Sequence, residues 1–399
     1  MSVLSAVEMA PRDPILGLTE AFQADTNPKK VNLGVGVYQD ETGKLPVLQC
    51  VRAVEQQMGQ DPKPRGYLPI DGLKTFTGAV AELVHGPEAA ASGKLVTVQT
   101  LSGTGALRVA GDFLLPLSNG KLLLSDPSWE NHRAVFTRSG FEVGEYRYKA
   151  ADDGLDFDGL VEDLKAAQKG TVVVLHACCH NPTGYDLSDE QWDTVVQLVT
   201  DGELIPLVDM AYQGFAEGPE QDVKAIKKFV ATGRPVLNTV SFAKNMGLYG
   251  ERVGALQVTC TDADEAARVL SQLKVLIRTM VSSSPTHGAA VVAAVLGDGQ
   301  LKAQWIDELA AMRDRIKQMR RRLVDGLVAA GVTAANGKKD MDFIAEQAGM
   351  FSYTGLTQEQ MVQLREKWGV YGTDKGRICV AALNDSNIDY VCEAIADVI

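Results

Sequence analysis

The sequence predicts an α/β protein. A large domain carries a mostly parallel sheet covered by helices, and a smaller α+β domain accompanies it. Three observations carry that prediction. The 399 residues exceed what one compact core usually holds, so one large and one small domain are the natural division. Five short apolar runs recur between positions 121 and 260, separated by helical stretches. Near-continuous apolar strands alternating with helices mark a parallel sheet buried on both faces. The pattern then changes near Gly299, where one long helical stretch runs to about Ala330 and ends close to Gly331. The expected division is 46–300 for the large domain, and 1–45 with 301–399 for the small domain and an N-terminal arm.

Composition narrows the function classes. Hydrophobic residues make up 45% and charged residues 23%, an ordinary balance for a chain with a sizeable core. Acidic residues outnumber basic ones 51 to 39, for a formal charge of -12. With no basic stripe, neither nucleic acid nor an anionic membrane surface is an expected partner. No apolar run approaches the ~18 residues of a membrane-spanning helix. The opening "MSVLSAVEMAPRDPILGL" has no basic segment followed by an apolar block, so no signal peptide is expected. Of the six cysteines, Cys178 and Cys179 are adjacent on what reads as a strand, facing opposite ways. That suits neither a disulfide framework nor a zinc site. Reduced thiols in a cytoplasmic protein are the expectation.

Taken in chain order, "VNLGVGVY" (31–38) is apolar but too short to fold alone, so it completes the small domain. "LSGTGALRVAGDFL" (101–114) is a glycine-rich turn opening a helix, where backbone N–H groups and the helix N-terminus could hold a phosphate. It is neither a P-loop nor a GxGxxG fingerprint, and a plain helix start explains it equally. "KLLLSD" (121–126) is the first strand; the turn after it offers Trp129, either as a stacking plate or as loop packing. "TVVVLHACC" (171–179) is the second, followed by Asn181-Pro182-Thr183-Gly184, whose turn signals also suit an ordinary strand-to-helix loop. His176 and His180 are four apart, but their apolar flanks and the lack of a third ligand favour core or supporting histidines, so no metal is expected.

"LIPLVDM" (204–210) leaves Asp209 at a strand end, with Tyr212 three residues on. A carboxylate there is costly unless it caps the next helix or pairs with a cation or a protonated ring nitrogen. "PVLNTVSF" (235–242) leads into Lys244, and "GALQVTC" (254–260) is the fifth run. A lysine amine becomes a nucleophile when desolvation or nearby cations lower its pKa. Ser241 and Arg252, which flank it, are good phosphate donors. Beyond the long helix, "DFIAEQAGMFSYTGL" and "GRICVAAL" are strand-like stretches around a helix at 357–368.

Ligands of such sheets bind outside the C-terminal strand ends, and the unusual polar residues all follow strand ends. Together they describe one ligand. A phosphate takes the glycine-rich turn with Ser241 and Arg252. A flat ring takes Trp129, and its nitrogen takes Asp209. A phenolic oxygen takes Asn181 and Tyr212, and an aldehyde takes Lys244. That ligand is pyridoxal 5′-phosphate, held as a Schiff base.

At this point the chain resembles the fold-type I, class I aminotransferases, the aspartate and aromatic-amino-acid enzymes. "VNLGVGVYQDETGKLPVL", "SGTGAL", "DPSWENH", "CCHNPTG", "DMAYQGF", "SFAKNMGLYGERVGA" and "GMFSYTGL" match in order over nearly the whole length. The resemblance implies that Lys244 is the Schiff-base lysine and proton shuttle. It implies that Asp209 holds the pyridine nitrogen protonated, and that Tyr212 and Asn181 bind the ring oxygen. Ser102, Gly103, Thr104, Ser241 and Arg252 would bind phosphate, joined by Tyr67 from a neighbouring subunit. Gly36, Trp129 and Asn181 would line the substrate. Arg377 would clamp its α-carboxylate, and Arg278 of the other subunit would bind a distal carboxylate. Shared sites imply a homodimer.

The family's reaction is ping-pong, passing an amino group from an amino acid to an oxo acid, typically 2-oxoglutarate. Leu45 and Ser283 stand where aspartate-specific relatives carry threonine and asparagine, and Gln39 replaces a common lysine. A less polar rim suits an aromatic side chain, although Val37 and Thr104 lean the other way. The expected donors are tyrosine and phenylalanine, with aspartate also accepted. An aspartate-preferring enzyme and a C–S β-lyase on the same fold are the alternatives. Three departures stand out: Ala243 in place of a phosphate-touching serine, "RTMVSSSP" after Arg278, and the charged pair of "TDKGR" before Arg377.

Overall fold

A computed structural model describes residues 2–10, 16–150, 154–332 and 341–399. The stretches 11–15 of the expected arm and 333–340 of the expected small domain lie outside the described residues.

Among the described residues eleven strands form in chain order: β1 (Val31–Asn32), β2 (Leu95–Leu101), β3 (Lys121–Asp126), β4 (Glu142–Arg147), β5 (Val172–His176), β6 (Ile205–Met210), β7 (Val236–Ser241), β8 (Val253–Thr259), β9 (Phe351–Tyr353), β10 (Val370–Tyr371) and β11 (Arg377–Cys379). Seven build the main sheet, in the order β2-β8-β7-β6-β5-β3-β4. β8 runs antiparallel to both its neighbours, and the other six strands point one way.

Burial on both faces explains the unbroken apolar runs. Val172 and Val174 of β5 face one core, with Leu207, Leu237 and Leu256. Val173 and Leu175 face the other, with Val208, Val240 and Ala255. The helices Ser102–Leu114, Glu130–Ser139 and Ala263–Met280 cover the first face. Helices that include Lys74–His85, Asp189–Asp201, Lys224–Ala231 and His287–Gly297 cover the second.

Two edge strands were not among the expected runs. β4, "EVGEYR", has a single fully buried residue, Tyr146, and β2, "LVTVQTL", carries polar residues among its apolar ones rather than running apolar throughout. One expected strand is shorter than the sequence suggests. β5 stops at His176, so Cys178 and Cys179 lie in the turn beyond it and not on opposite faces of a strand. Asp186 accepts the backbone N–H groups of Cys179 and His180 there, at 2.7 and 2.9 Å, which turns the chain out of the sheet. All six cysteines are free and buried.

The helix Gly299–Ala329 starts where Asp298 accepts the N–H groups of Gln300 and Leu301. It carries a second assembly. β1 pairs in parallel with β10, which joins the "VNLGVGVY" segment to the C-terminal part of the chain, and β9 pairs antiparallel with β11. The helix Gln358–Trp368 begins with a Thr357–Gln360 capping box and ends on Gly369 at φ 66°. Among the described residues no helix is long and apolar enough to cross a membrane.

Candidate active site

One edge of the main sheet collects nearly every residue singled out from the sequence. β2 delivers Ser102, Gly103 and Thr104 at the start of a helix; β3 leads to Trp129 and β5 to Asn181. β6 ends with Asp209 and leads to Tyr212, and β7 leads from Ser241 to Lys244. The reversed strand β8 begins at the same edge, directly after Arg252. All line a single cleft, which Gly36, Phe351 and Arg377 close from the second assembly.

Lys244 sits in the turn after β7, with its Nζ 4.9 Å from the centre of the Tyr212 ring. Burial lowers its ammonium pKa to about 8; Asp209 opposes that shift and Arg252 reinforces it. Burial also pushes the Tyr212 phenol up, against the pull of Arg377.

Asp209 is not a helix cap. Burial alone would raise its carboxyl, but hydrogen bonds from His132 and Thr239 oppose that and hold it low, at about 2. His132 Nε2 donates to Oδ2 at 3.0 Å, and the Thr239 hydroxyl donates to Oδ1 at 2.5 Å. The donor order can be traced outward. A backbone N–H only donates, so the Asn181 N–H bond to His176 Nδ1 at 3.3 Å leaves the His176 proton on Nε2. That nitrogen donates to Ser128 Oγ at 3.3 Å, and the Ser128 hydroxyl donates to His132 Nδ1 at 2.9 Å. His132 therefore presents an N–H to Asp209. Burial lowers the His176 pKa to about 3, which keeps it neutral in this chain of bonds. His176 and His180 stack at 4.2 Å. Among the described residues no three His, Cys, Asp or Glu side chains are grouped to hold a metal ion.

The glycine-rich turn is built for close approach. Ser102 opens its helix at φ 65°, and its carbonyl accepts the Thr100 hydroxyl at 3.0 Å. A Cβ on Gly254 would meet the Ser102 carbonyl carbon at 2.5 Å, so only glycine lets β8 run beside this turn. Ser241 Oγ accepts the Ala243 N–H at 3.3 Å, which leaves its hydroxyl proton to donate elsewhere.

Arg377, on β11, is 1% exposed. Its Nη2 donates to the Gly34 carbonyl at 2.8 Å and its Nη1 to Asn181 Oδ1 at 3.1 Å. The guanidinium lies 4.2 Å from the centre of the Phe351 ring. Its Nε is buried and has no hydrogen-bond partner. A buried unpaired donor on a cation is costly, and an anionic oxygen is what would satisfy it. Gly36 fits beside Phe351 only because it lacks a Cβ, which would meet the ring at 2.5 Å.

Two residues named from the sequence are absent from this cleft. Tyr67 is 96% exposed. Arg278, exposed at the end of the helix Ala263–Met280, bonds to the Ser282 hydroxyl. Both were expected to act in a neighbouring subunit. Sequence reasoning missed His132, Thr239, Phe351 and Ser128 as supports. His132 and Ser128 lie inside the quoted "DPSWENH", but nothing in their spacing pairs them with Asp209 77 positions away from His132.

The sequence profile of the class I and II aminotransferases matches residues 28–395, and the chain belongs to that family. Its particular relatives divide by substrate. It is 49% identical to an aspartate aminotransferase of Pseudomonas aeruginosa over all of both chains. It is 54% identical to an aromatic-amino-acid aminotransferase of Burkholderia pseudomallei, solved covalently bound to pyridoxal phosphate, with TM-score 0.96 and full coverage of both chains. An aromatic-amino-acid aminotransferase of Psychrobacter sp. B6, co-crystallised with aspartic acid, is 45% identical, with TM-score 0.95 and 99% of each chain covered.

Proposed function

We propose that the chain binds pyridoxal 5′-phosphate in this cleft and transfers an amino group from tyrosine, phenylalanine and aspartate to 2-oxoglutarate. The observation that carries the reading is one convergence: a lysine amine brought to about 8, a carboxylate held at about 2, and a buried arginine with a free Nε. The donor set suits the cofactor. Asp209, kept ionised by His132 and Thr239, would hold a proton on a ring nitrogen. The N–H groups opening the helix at Ser102, Gly103 and Thr104, with the Ser241 hydroxyl and Arg252, suit a phosphate. Asn181 gives its oxygen to Arg377, so its amide N–H₂ is left to bind a ring oxygen together with Tyr212. Trp129, half-buried on the cleft wall, covers a ring face.

When bound, the cofactor supplies an electron sink that acidifies the substrate Cα–H. Lys244 Nζ takes that proton. Arg377 binds the α-carboxylate through Nε, and Gly36 leaves room beside it. We assign Tyr67 to the phosphate and Arg278 to the distal carboxylate of the partner subunit's site in a homodimer. The same reading takes 46–300 as the cofactor-binding domain, and 1–45 with 301–399 as the domain that brings Arg377. Six buried free thiols suit the cytoplasm.

The test has two parts. Borohydride reduction of the yellow holoenzyme should fix the cofactor on Lys244, and attachment elsewhere ends the reading. Comparison of kcat/KM for tyrosine, phenylalanine and aspartate with 2-oxoglutarate then sets the substrate. A preference for aspartate above about tenfold, roughly 1.4 kcal/mol, makes the enzyme an aspartate aminotransferase instead.

A further inference from the structure

We propose that Arg320 is a positioning residue for Arg377: from the long helix it fixes the turn that backs Arg377, and so sets where the Arg377 Nε stands relative to Lys244. The proposal rests on the transaminase reading. Arg320 lies in the helix Gly299–Ala329 and is 2% exposed. Its Nη2 donates to the Gly349 carbonyl at 2.5 Å and to the Phe351 carbonyl at 3.1 Å, and its Nε donates to Ser352 Oγ at 3.2 Å. All three acceptors are neutral and belong to one short segment. Burial lowers the Arg320 pKa to about 10, which still leaves a cation at neutral pH. A buried cation held by neutral oxygens is costly, and a turn alone can be held by neutral groups.

That segment is the backing of the site. The Phe351 ring centre lies 4.2 Å from the Arg377 guanidinium and 6.2 Å from the Tyr212 ring, which it meets edge-on. The tip of the ring packs onto Gly36, where a Cβ would lie 2.5 Å from Cζ. β9 pairs with β11, setting Phe351 opposite Cys379 and Tyr353 opposite Arg377, so a shift of β9 reaches Arg377 through backbone as well as through the ring. Nearer the start of the same helix, buried Trp305 donates its Nε1–H to the Asn245 carbonyl at 2.8 Å, one residue from Lys244. From Trp305 to Arg320 the helix spans about 22 Å. It is pinned beside Lys244 at one point and behind Arg377 at the other.

The guanidinium fork does here what a point charge would not. It holds backbone on both sides of Met350 together with the Ser352 hydroxyl, in fixed directions. A lysine keeps the charge but cannot meet three acceptors at once in that geometry. A loosened turn lets the Phe351 ring and Arg377 drift, and the α-carboxylate that every substrate shares loses a fixed partner. Lys244 and the turn at Ser102 stay in place. The simpler role of Arg320 would be to hold the turn for the sake of the fold. That role alters stability and leaves ligand affinity alone.

The experiment uses the holoenzyme and Arg320→Lys. Calorimetry gives Kd for 3-phenylpropionate, a carboxylate with no amino group to transfer, alongside kcat/KM for phenylalanine and aspartate. Arg320→Lys should weaken 3-phenylpropionate by about tenfold and lower both kcat/KM values by a similar factor, with affinity for the cofactor unchanged. Ser352→Ala, which removes one of the three bonds and keeps the charge, should weaken it by roughly threefold. Phe351→Leu should weaken it too, and Arg320→Lys combined with Phe351→Leu should fall well short of the product of the single losses, because Arg320 acts through that residue. Losses that multiply, or a lowered Tm with an unchanged Kd, overturn the proposal. Failure of the underlying reading shows separately, because Arg377→Ala would then bind 3-phenylpropionate as tightly as the wild type.

Discussion

Lys244 and Asp209 are opposite outcomes of the same burial. Desolvation disfavours charge on both, but Asp209 receives two hydrogen bonds that repay it, while Lys244 gains only long-range charge. The lysine sign is direct. A pKa lowered to about 8 leaves the amine protonated below that pH and nucleophilic above it. Covalent uptake of pyridoxal 5′-phosphate by the apo-protein should therefore speed with pH to a midpoint near 8. Stopped-flow absorbance measures this; a midpoint near the ~10.4 of an exposed lysine would sink the assignment. On the proposed reading Asp209→Ala would remove the partner of the ring nitrogen, and kcat should fall by roughly 10³-fold, ~4 kcal/mol, with the fold retained by circular dichroism. Both residues were legible in the sequence because each is a charged group at the end of an apolar strand, where burial demands a reason. His132 and Thr239 were not. A threonine inside "PVLNTVSF" reads as strand, and a histidine after "DPSW" reads as loop, until β7 pairs beside β6 and brings Thr239 to Asp209, and the helix that follows β3 brings His132 to the same carboxylate.

At the scale of elements, central strands were readable and edge strands were not. β5, β6 and β7 are flanked on both sides and covered on both faces, so hydrophobicity alone marks them. β4 pairs on one side only and carries Glu142, Glu145 and Arg147, a composition that suits a strand edge in water. β2, the other edge, leaves Leu95, Thr97 and Leu101 less than fully buried, and its apolar run is broken by Thr97, Gln99 and Thr100. The close pairing of β8 with the Ser102 turn was also hidden, since one glycine in "GALQVTC" carries no signal of what passes beside it. Gly254→Ala tests its worth. The new Cβ would press on Ser102 backbone at 2.5 Å, and backbone cannot swing aside as a side chain can. The helix start must shift, so affinity for the cofactor should fall at least about tenfold while far-UV circular dichroism stays unchanged. Unchanged affinity would show that the turn does not hold the phosphate.

At the scale of the whole molecule, one chain assembles the Lys244 side of the site and Arg377 but leaves Tyr67 and Arg278 on its surface. A closed two-fold dimer would turn both outward residues into components of the facing cleft, each subunit giving what it receives. Mixed dimers make this decidable. Lys244→Ala chains keep Arg278, and Arg278→Ala chains keep Lys244. Neither homodimer has a complete site for a dicarboxylate. A hybrid has one site with both defects and one with none, because Lys244 of one subunit meets Arg278 of the other. Refolded in equal amounts, half the dimers are hybrid and half their sites intact, so activity on limiting aspartate should return to about a quarter of wild type. The Lys244→Ala homodimer should be inactive, and Arg278→Ala should retain phenylalanine turnover while losing aspartate by on the order of a hundredfold. If mixing restores nothing, each chain uses its own Arg278 or none, and the distal carboxylate must be read from within a single cleft.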